Sequence, residues 1–318
     1  MKEQRFYTTM ELFFSTLNQT LYLFMFIIMG YVLCRFKIMP ENSDSILAKL
    51  ENYIFMPALV MGTFIDKFTV DNLQTTGKIF LDSTIAELAV IVIAYILSVM
   101  IIKEKYMRNI CIYGLSFSNF SFMGTAVVGA LFPDIFFEYI VFTLPIWIII
   151  YLWGVPALLI PNKGGSSLKD NLKKFINPMF IGMLIGMVIG ITQIPLPDAV
   201  NSVISNCSSC MSPVAMLMTG MSIAYIDIKK VFRDIRVYLI ALCRLVVLPL
   251  IVALTFKFLP ISETVYICSV ISAAMPLGLN IIIIPSAYGQ DTTVPASMAL
   301  MAFLFACITI PIVFAVVF

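Results

Sequence analysis

Asn119 and Asn280 are the first residues here that could do chemistry, because each amide sits in a long apolar stretch that makes a poor continuous helix. The stretches read CIYGLSFSNFSFMGTAVVGALFPD and YICSVISAAMPLGLNIIIIPSAYGQD. Around Asn119 stand Gly114, Ser116, Ser118, Ser121, Gly124 and Thr125, and around Asn280 stand Pro276, Gly278 and Pro285. A proline removes a backbone donor and clashes with the preceding turn, while glycine and hydroxyl residues let backbones approach closely. A helix broken at such a place exposes N–H groups and the positive end of its dipole, which suit an anion. The amide carries two donors and an acceptor, so it can hold a carboxylate oxygen or bridge the loose ends of the break. The competing reading is packing: small residues for tight helix contact, asparagine as hydrogen-bonding glue, prolines as mere kinks. The matched placement of the two asparagines favours a site, with Ser118, Asn119, Gly124, Thr125, Pro276, Gly278 and Asn280 as its candidate ligand-binding residues.

Three charged side chains also fall inside apolar runs: Asp82, Glu87 and Arg244. At about 1.5 Å per residue, Asp82 lies about a turn into its run, Glu87 roughly 12 Å deep, and Arg244 roughly 10 Å from the opposite face. A central Arg or Asp costs about 2.5–3.5 kcal/mol to insert into a bilayer, so such groups are functional or mutually compensated. They are candidates for a coupling or charge-partner role. Arg244 either pairs with Glu87, meets an anionic ligand or snorkels to the headgroups, and Asp82 is either a coupling group or solvated at the interface. The chain has no histidine, which removes His-ligated metal sites, Ser-His-Asp triads and His relays. Proton chemistry falls to carboxylates or lysines, and neither a metal nor an organic cofactor is expected. The seven cysteines are scattered through apolar segments and read as small buried hydrophobes. Cys207-Ser-Ser-Cys210 lacks the βαβ context of a redox pair.

The elements that must position these residues are membrane helices. Of 318 residues, 61% are hydrophobic and 12% charged, against about 45–50% and about 25% in a soluble domain. A net charge of +2 without a basic stripe excludes a nucleic-acid binder. Apolar runs near 12–35, 46–65, 79–102, 109–131, 136–160, 175–194, 199–225, 237–259, 264–288 and 293–318 predict ten transmembrane helices in an all-α membrane protein. Breaks after odd-numbered spans carry fourteen Lys/Arg and the other side five, so both termini are expected outside the cytoplasm. The N-terminus has no A-x-A cleavage site before its first apolar run, and a cleaved signal peptide is not expected. The hydrophilic break PNKGGSSLKDNLKK at 161–174 divides a first five-helix repeat, 1–160, from a second, 175–318. An odd number of spans per half inverts the second repeat. Pro57 and Pro213 sit at matching places in spans 2 and 7, and the interrupted spans 4 and 9 match as broken crossover helices. Paired broken helices in inverted repeats are the build of secondary transporters.

Six stretches in order carry a resemblance: GYVLCRFKIMPENSDSILAKLENYIFMPALV, SNFSFMGTAVV, NPMFIGMLIGMVIGITQIPLPDAV, SPVAMLMTGMSIA, CRLVVLPLIVAL and AAMPLGLNIIIIPSAYGQD. With ten spans and a central break, they resemble the auxin efflux carrier family over essentially the whole chain. The resemblance implies a scaffold of spans 1, 2, 6 and 7, a mobile unit of spans 3–5 and 8–10, a substrate where spans 4 and 9 cross, and dimerisation through the scaffold. The family's span-4 asparagine falls on Asn119, its Pro-x-x-x-Asn on Pro276 and Asn280, and the early span-3 acid of plant members is similar to Asp82. Gly124 is followed by Thr125-Ala126 rather than by the proline many members carry, so here the bend is expected to rely on Gly124 and hydroxyls. The short linker resembles the bacterial carboxylate permease branch. The expected function is secondary transport of a small organic anion, a mono- or dicarboxylate such as malate or malonate, across the plasma membrane by elevator-type alternating access. Protons or Na+ are the expected coupling ions and a homodimer the expected assembly. The alternative is a ligand-binding receptor or regulator on the same fold. No P-loop, no G-x-S-x-G and no paired Asp on facing helices argue for direct ATP drive or for an enzyme.

Overall fold

The computed structural model describes residues 9–40, 42–160, 178–224 and 234–318; the linker at 161–174 lies outside them. Before the linker come α1 (Thr9–Arg35), α2 (Ser43–Leu50), α3 (Met56–Lys67), α4 (Leu73–Ile101), α5 (Lys105–Ser116), α6 (Thr125–Leu131) and α7 (Phe136–Ile149). After it come α8 (Pro178–Thr192), α9 (Asp198–Ala224), α10 (Ile235–Leu242), α11 (Leu248–Thr255), α12 (Glu263–Ala274), α13 (Asn280–Ala287) and α14 (Thr293–Val317). No β-strand occurs among the described residues, which hold one isolated bridge, Ser118 with Leu277.

Among the described residues, six helical stretches are long and apolar enough to cross a membrane: Met10–Arg35, Val70–Ile101, Pro133–Leu159, Asp198–Ala224, Ile235–Phe258 and Thr293–Val317. Their outward faces are apolar. Phe14, Met25 and Ile28 on α1, and Leu81, Leu88, Val92 and Ile96 on α4, are exposed, a surface that only lipid or another apolar partner would solvate well. The protein is therefore an all-helical, multi-pass membrane protein.

Among the described residues, four wide π turns interrupt the rods. Glu51–Phe55 joins α2 to α3, Phe120–Gly124 leads into α6, Ile150–Leu159 extends α7, and Cys243–Val247 joins α10 to α11. Proline explains three of them: Pro57 and Pro249 open the following helix, and Pro156 lies inside its turn. A proline cannot donate to the carbonyl four residues back, and a wider turn absorbs that mismatch.

Backbone-to-backbone contact holds α1 on α9 and α3 on α8. A Cβ on Gly30 would stand 2.0 Å from the Leu217 carbonyl oxygen, and one on Gly220 would stand 1.9 Å from that of Ile27. On α8 the run GMLIGMVIG places Gly182, Gly186 and Gly190 against the carbonyls of Pro57, Met61 and Phe64, where a Cβ would approach to 2.8, 2.6 and 2.5 Å. Glycine every four residues on one helix face is a membrane packing seam. At one end of the molecule Asn72, Asp134 and Gln193 share a cleft of about 890 Å³. At the other end the Tyr106 hydroxyl donates to the Asp291 carbonyl at 3.0 Å, and Arg236 approaches Glu104 at 3.9 Å.

Candidate functional site

Two helices stop short at one place. α5 ends at Ser116 and α12 at Ala274, and beyond each the backbone is extended at Phe117 and at Met275. The extended pieces pair: Ser118 lies opposite Leu277, and the Asn119 N–H donates to the Pro276 carbonyl at 2.8 Å. Backbone groups freed by a break cost several kcal/mol each in an apolar setting unless they find partners, and here each break supplies the other. Close approach needs small residues. A Cβ on Gly114 would stand 2.8 Å from Leu277 Cδ2, and one on Gly278 would stand 3.3 Å from the Ser118 carbonyl oxygen. The Ser118 and Ser272 hydroxyls lie 3.3 Å apart. Pro285 lies inside α13 rather than at the break, so Pro276 and Gly278 mark the interruption.

Chain resumes its helical course at the two asparagines. Asn119 is 4% exposed, and its Oδ1 accepts from the Met123 N–H at a long 3.4 Å, while its Nδ2 is buried without a hydrogen-bond partner. Asn280 opens α13 and donates from Nδ2 to the Tyr113 hydroxyl at 3.0 Å. Thr125 is buried on the turn that follows Asn119. Gly124 does not make the bend that the sequence suggests; the bend lies earlier, at Phe117–Asn119. Gly124 makes room instead. A Cβ there would meet the Tyr139 hydroxyl at 2.1 Å, and that hydroxyl donates to the Phe120 carbonyl at 2.9 Å.

Arg244 holds the crossing together. It is 1% exposed, and it donates from Nη1 to the Leu115 carbonyl at 2.6 Å, from Nη2 to Ser272 at 2.8 Å and from Nε to Met275 at 2.8 Å. The last carbonyls of a helix lack intrahelical donors and carry the negative dipole end. One guanidinium therefore satisfies and neutralises the ends of both α5 and α12. It neither snorkels nor forms an ion pair with Glu87; the ion pairs among the described residues join Arg236 to Glu104 and to Asp234. Glu87 is 3% exposed and its Oε1 has no hydrogen-bond partner. It lines a cavity of about 10 Å³ with Ser116, Arg244, Ser269 and Ser272. Asp82 stands apart from these groups. It is buried rather than solvated, and its Oδ2 accepts from the Ser262 N–H at 2.9 Å, tying α4 to the start of α12.

The crossing thus joins Ser118, Asn119, Pro276, Gly278 and Asn280 to Arg244 and leaves Asp82 outside. Its negative helix ends are occupied. Its positive ends lie at the turn after Asn119 and at the start of α13. Sequence reasoning missed Tyr113, whose partner Asn280 is 167 residues away, Tyr139, which bonds back to Phe120, and Glu51, which is fully buried with both carboxylate oxygens unpartnered. The signal for Glu51 was available, since it lies within the apolar run 46–65, where an ionisable residue calls for explanation.

A profile of the family described as membrane transport protein matches residues 15–171 and 165–314. The chain belongs to this family of membrane transporters. It is the auxin efflux carrier family that the sequence resembles, and the match extends over both parts of the chain on either side of the linker. No curated protein is similar enough to count as a match.

Proposed function

We propose that the protein is a secondary transporter of small organic anions, a mono- or dicarboxylate of the malate or malonate class, with its site at the crossing of α5–α6 and α12–α13. The observation that carries this reading is the buried, unpartnered Nδ2 of Asn119, a donor placed beside positive helix ends whose negative counterparts Arg244 already holds. A carboxylate oxygen is the partner that this donor lacks. Two helix interruptions paired across the chain support an inverted repeat of five helices each, with α5–α6 and α12–α13 each serving as one broken span. The glycine seams of α1, α3, α8 and α9 support a rigid scaffold against which the remaining helices move in an elevator-like cycle, and through which two copies dimerise. The Lys/Arg bias supports a plasma-membrane orientation with both termini outside.

A flux screen in proteoliposomes over mono- and dicarboxylates, with and without a proton or Na+ gradient, tests the reading. Saturable uptake of a carboxylate by the wild type, reduced in Asn119→Ala, is the expected result. Ligand binding without flux would make the protein a receptor, and absence of both would end the proposal.

A further inference from the structure

We infer that Glu87 is a proton-binding site that couples proton movement to anion movement at the crossing; this rests on the anion-transport reading above. Glu87 Oε1 is buried and meets no donor. Across a cavity of about 10 Å³, room for about one water, it faces Arg244, whose three nitrogens all donate to carbonyls of the crossing. An ionised carboxylate is acceptor-only and requires donors, whereas the neutral acid carries a proton of its own to give. The arrangement suits the neutral acid. Once ionised, Glu87 would need donors that the cavity does not now direct at Oε1: an N–H of Arg244 beyond the three held by Leu115, Ser272 and Met275, or the Ser116 hydroxyl.

Among the described residues, Glu87 and Arg244 are the only ionisable groups that line that cavity. From α5 it receives Ser116, from α7 Phe142, and from α12 Ser269, Ser272 and Ala273. The α11 segment, LPLIVALT, has nothing that titrates. Tyr139 on α7 is engaged with the Phe120 carbonyl, and Cys268 is buried along α12. On its own helix, Asp82 is held by the Ser262 N–H. The charge count then follows from two groups. In formal charge, with Glu87 neutral the crossing carries the +1 of Arg244, which balances an arriving monocarboxylate and half the charge of a dicarboxylate such as malonate. With Glu87 ionised, the crossing is already balanced and the anion adds an uncompensated negative charge. Proton and anion therefore favour each other's binding, by the same factor in both directions, and the cycle is a symport. The only bond made and broken is the O–H of Glu87, with the proton taken from water on one side and returned to water on the other.

The test uses the full-length protein in proteoliposomes with two readouts. Infrared difference spectra of wild type and Glu87→Gln should show, at neutral pH, one protonated-carboxyl band that the variant lacks, and Glu87→Asp should keep such a band at a shifted frequency. Identical carboxyl bands in wild type and folded Glu87→Gln overturn the inference, whatever is transported. Malonate is the transport probe. The wild type should accumulate it along an acid gradient, collapsed by a protonophore, while Glu87→Gln should exchange malonate but lose gradient-driven accumulation by at least about tenfold. Accumulation by Glu87→Gln equal to the wild type overturns the inference too. If wild type moves no carboxylate in either mode, the transport reading fails, and the infrared arm alone decides whether Glu87 binds the proton.

Discussion

The glycine seams and the crossing are two solutions to bringing helices close together. In the seams, Gly30, Gly220 and the Gly182–Gly186–Gly190 ladder remove side chains so that one backbone rests on another, and the contact is apolar and without alternatives. At the crossing, glycines at 114, 124 and 278 also make room, but the space is filled by hydrogen bonds to carbonyls, hydroxyls and amides. Packing of the first kind fixes a frame, because a close-packed contact has one arrangement. Packing of the second kind leaves donors and acceptors that another polar partner can satisfy. The unpartnered groups at Asn119 and Glu87 lie in the second region.

Breaking the crossing at Arg244 should have the largest effect. Arg244→Gln removes the guanidinium from three buried carbonyls and leaves those of Leu115 and Met275 to be orphaned, since Ser272 also accepts from the Met275 N–H, a loss of several kcal/mol. Thermal unfolding in detergent should show a large drop or no folded protein, with Arg244→Lys recovering only part, because an ammonium does not reproduce the forked geometry. A wild-type melting curve for Arg244→Gln would remove Arg244 from its place in this comparison. The seam is probed by Gly220→Ala, whose Cβ would sit 1.9 Å from the Ile27 carbonyl oxygen. A cost of about 1–3 kcal/mol is expected from overpacking. Gly77→Ala, which meets nothing within 4 Å, is the control that should melt no lower than the wild type.

A smaller and different effect is expected of Asn119→Ala. It should cut carboxylate flux at least about tenfold, roughly 1.4 kcal/mol at the site, with little change in melting, since the bond it loses is the long one to Met123. Asn280→Ala should lower both readouts, because it also leaves the buried Tyr113 hydroxyl without its amide. Smallest is Asp234→Ala, away from both regions. Asp234 caps α10 by accepting from the Arg236 N–H at 2.9 Å, and its hydrogen bonds from the Arg236 side chain hold the carboxyl below its ordinary range. Losing the cap should cost about 1 kcal/mol at neutral pH. Because the folded carboxyl is the stronger acid, its contribution is present above the unfolded value and is lost as pH falls through the folded one. The gap between wild type and variant should therefore close on acidification.

Much of the site was legible because its residues are out of place in lipid. Asparagine, proline and glycine within apolar runs marked the two interruptions, and Arg244 stood out as a charge at depth. Its partners could not be read in this way. They are backbone carbonyls, one of them 129 residues away, and every residue has such a carbonyl. Gly124 was assigned to the bend for a similar reason: a glycine that grants flexibility and one that makes room for a tyrosine look alike until the neighbour is known. Asp82 was legible as an ionisable group near an apolar run's end, but its bond to the Ser262 N–H depends on where α12 begins in space.

The reach of Arg244 also bears on how the protein is made. Leu115 leaves the ribosome 129 residues ahead of Arg244, which at about 5–20 residues per second is roughly 6–26 s. Ser272 and Met275 follow Arg244 by 28 and 31 residues. Through that interval the first half waits in the membrane with the end of α5 lacking its guanidinium, and the second half arrives carrying the missing piece. The end of α5 in the first half therefore gains its guanidinium only once the second half has been made.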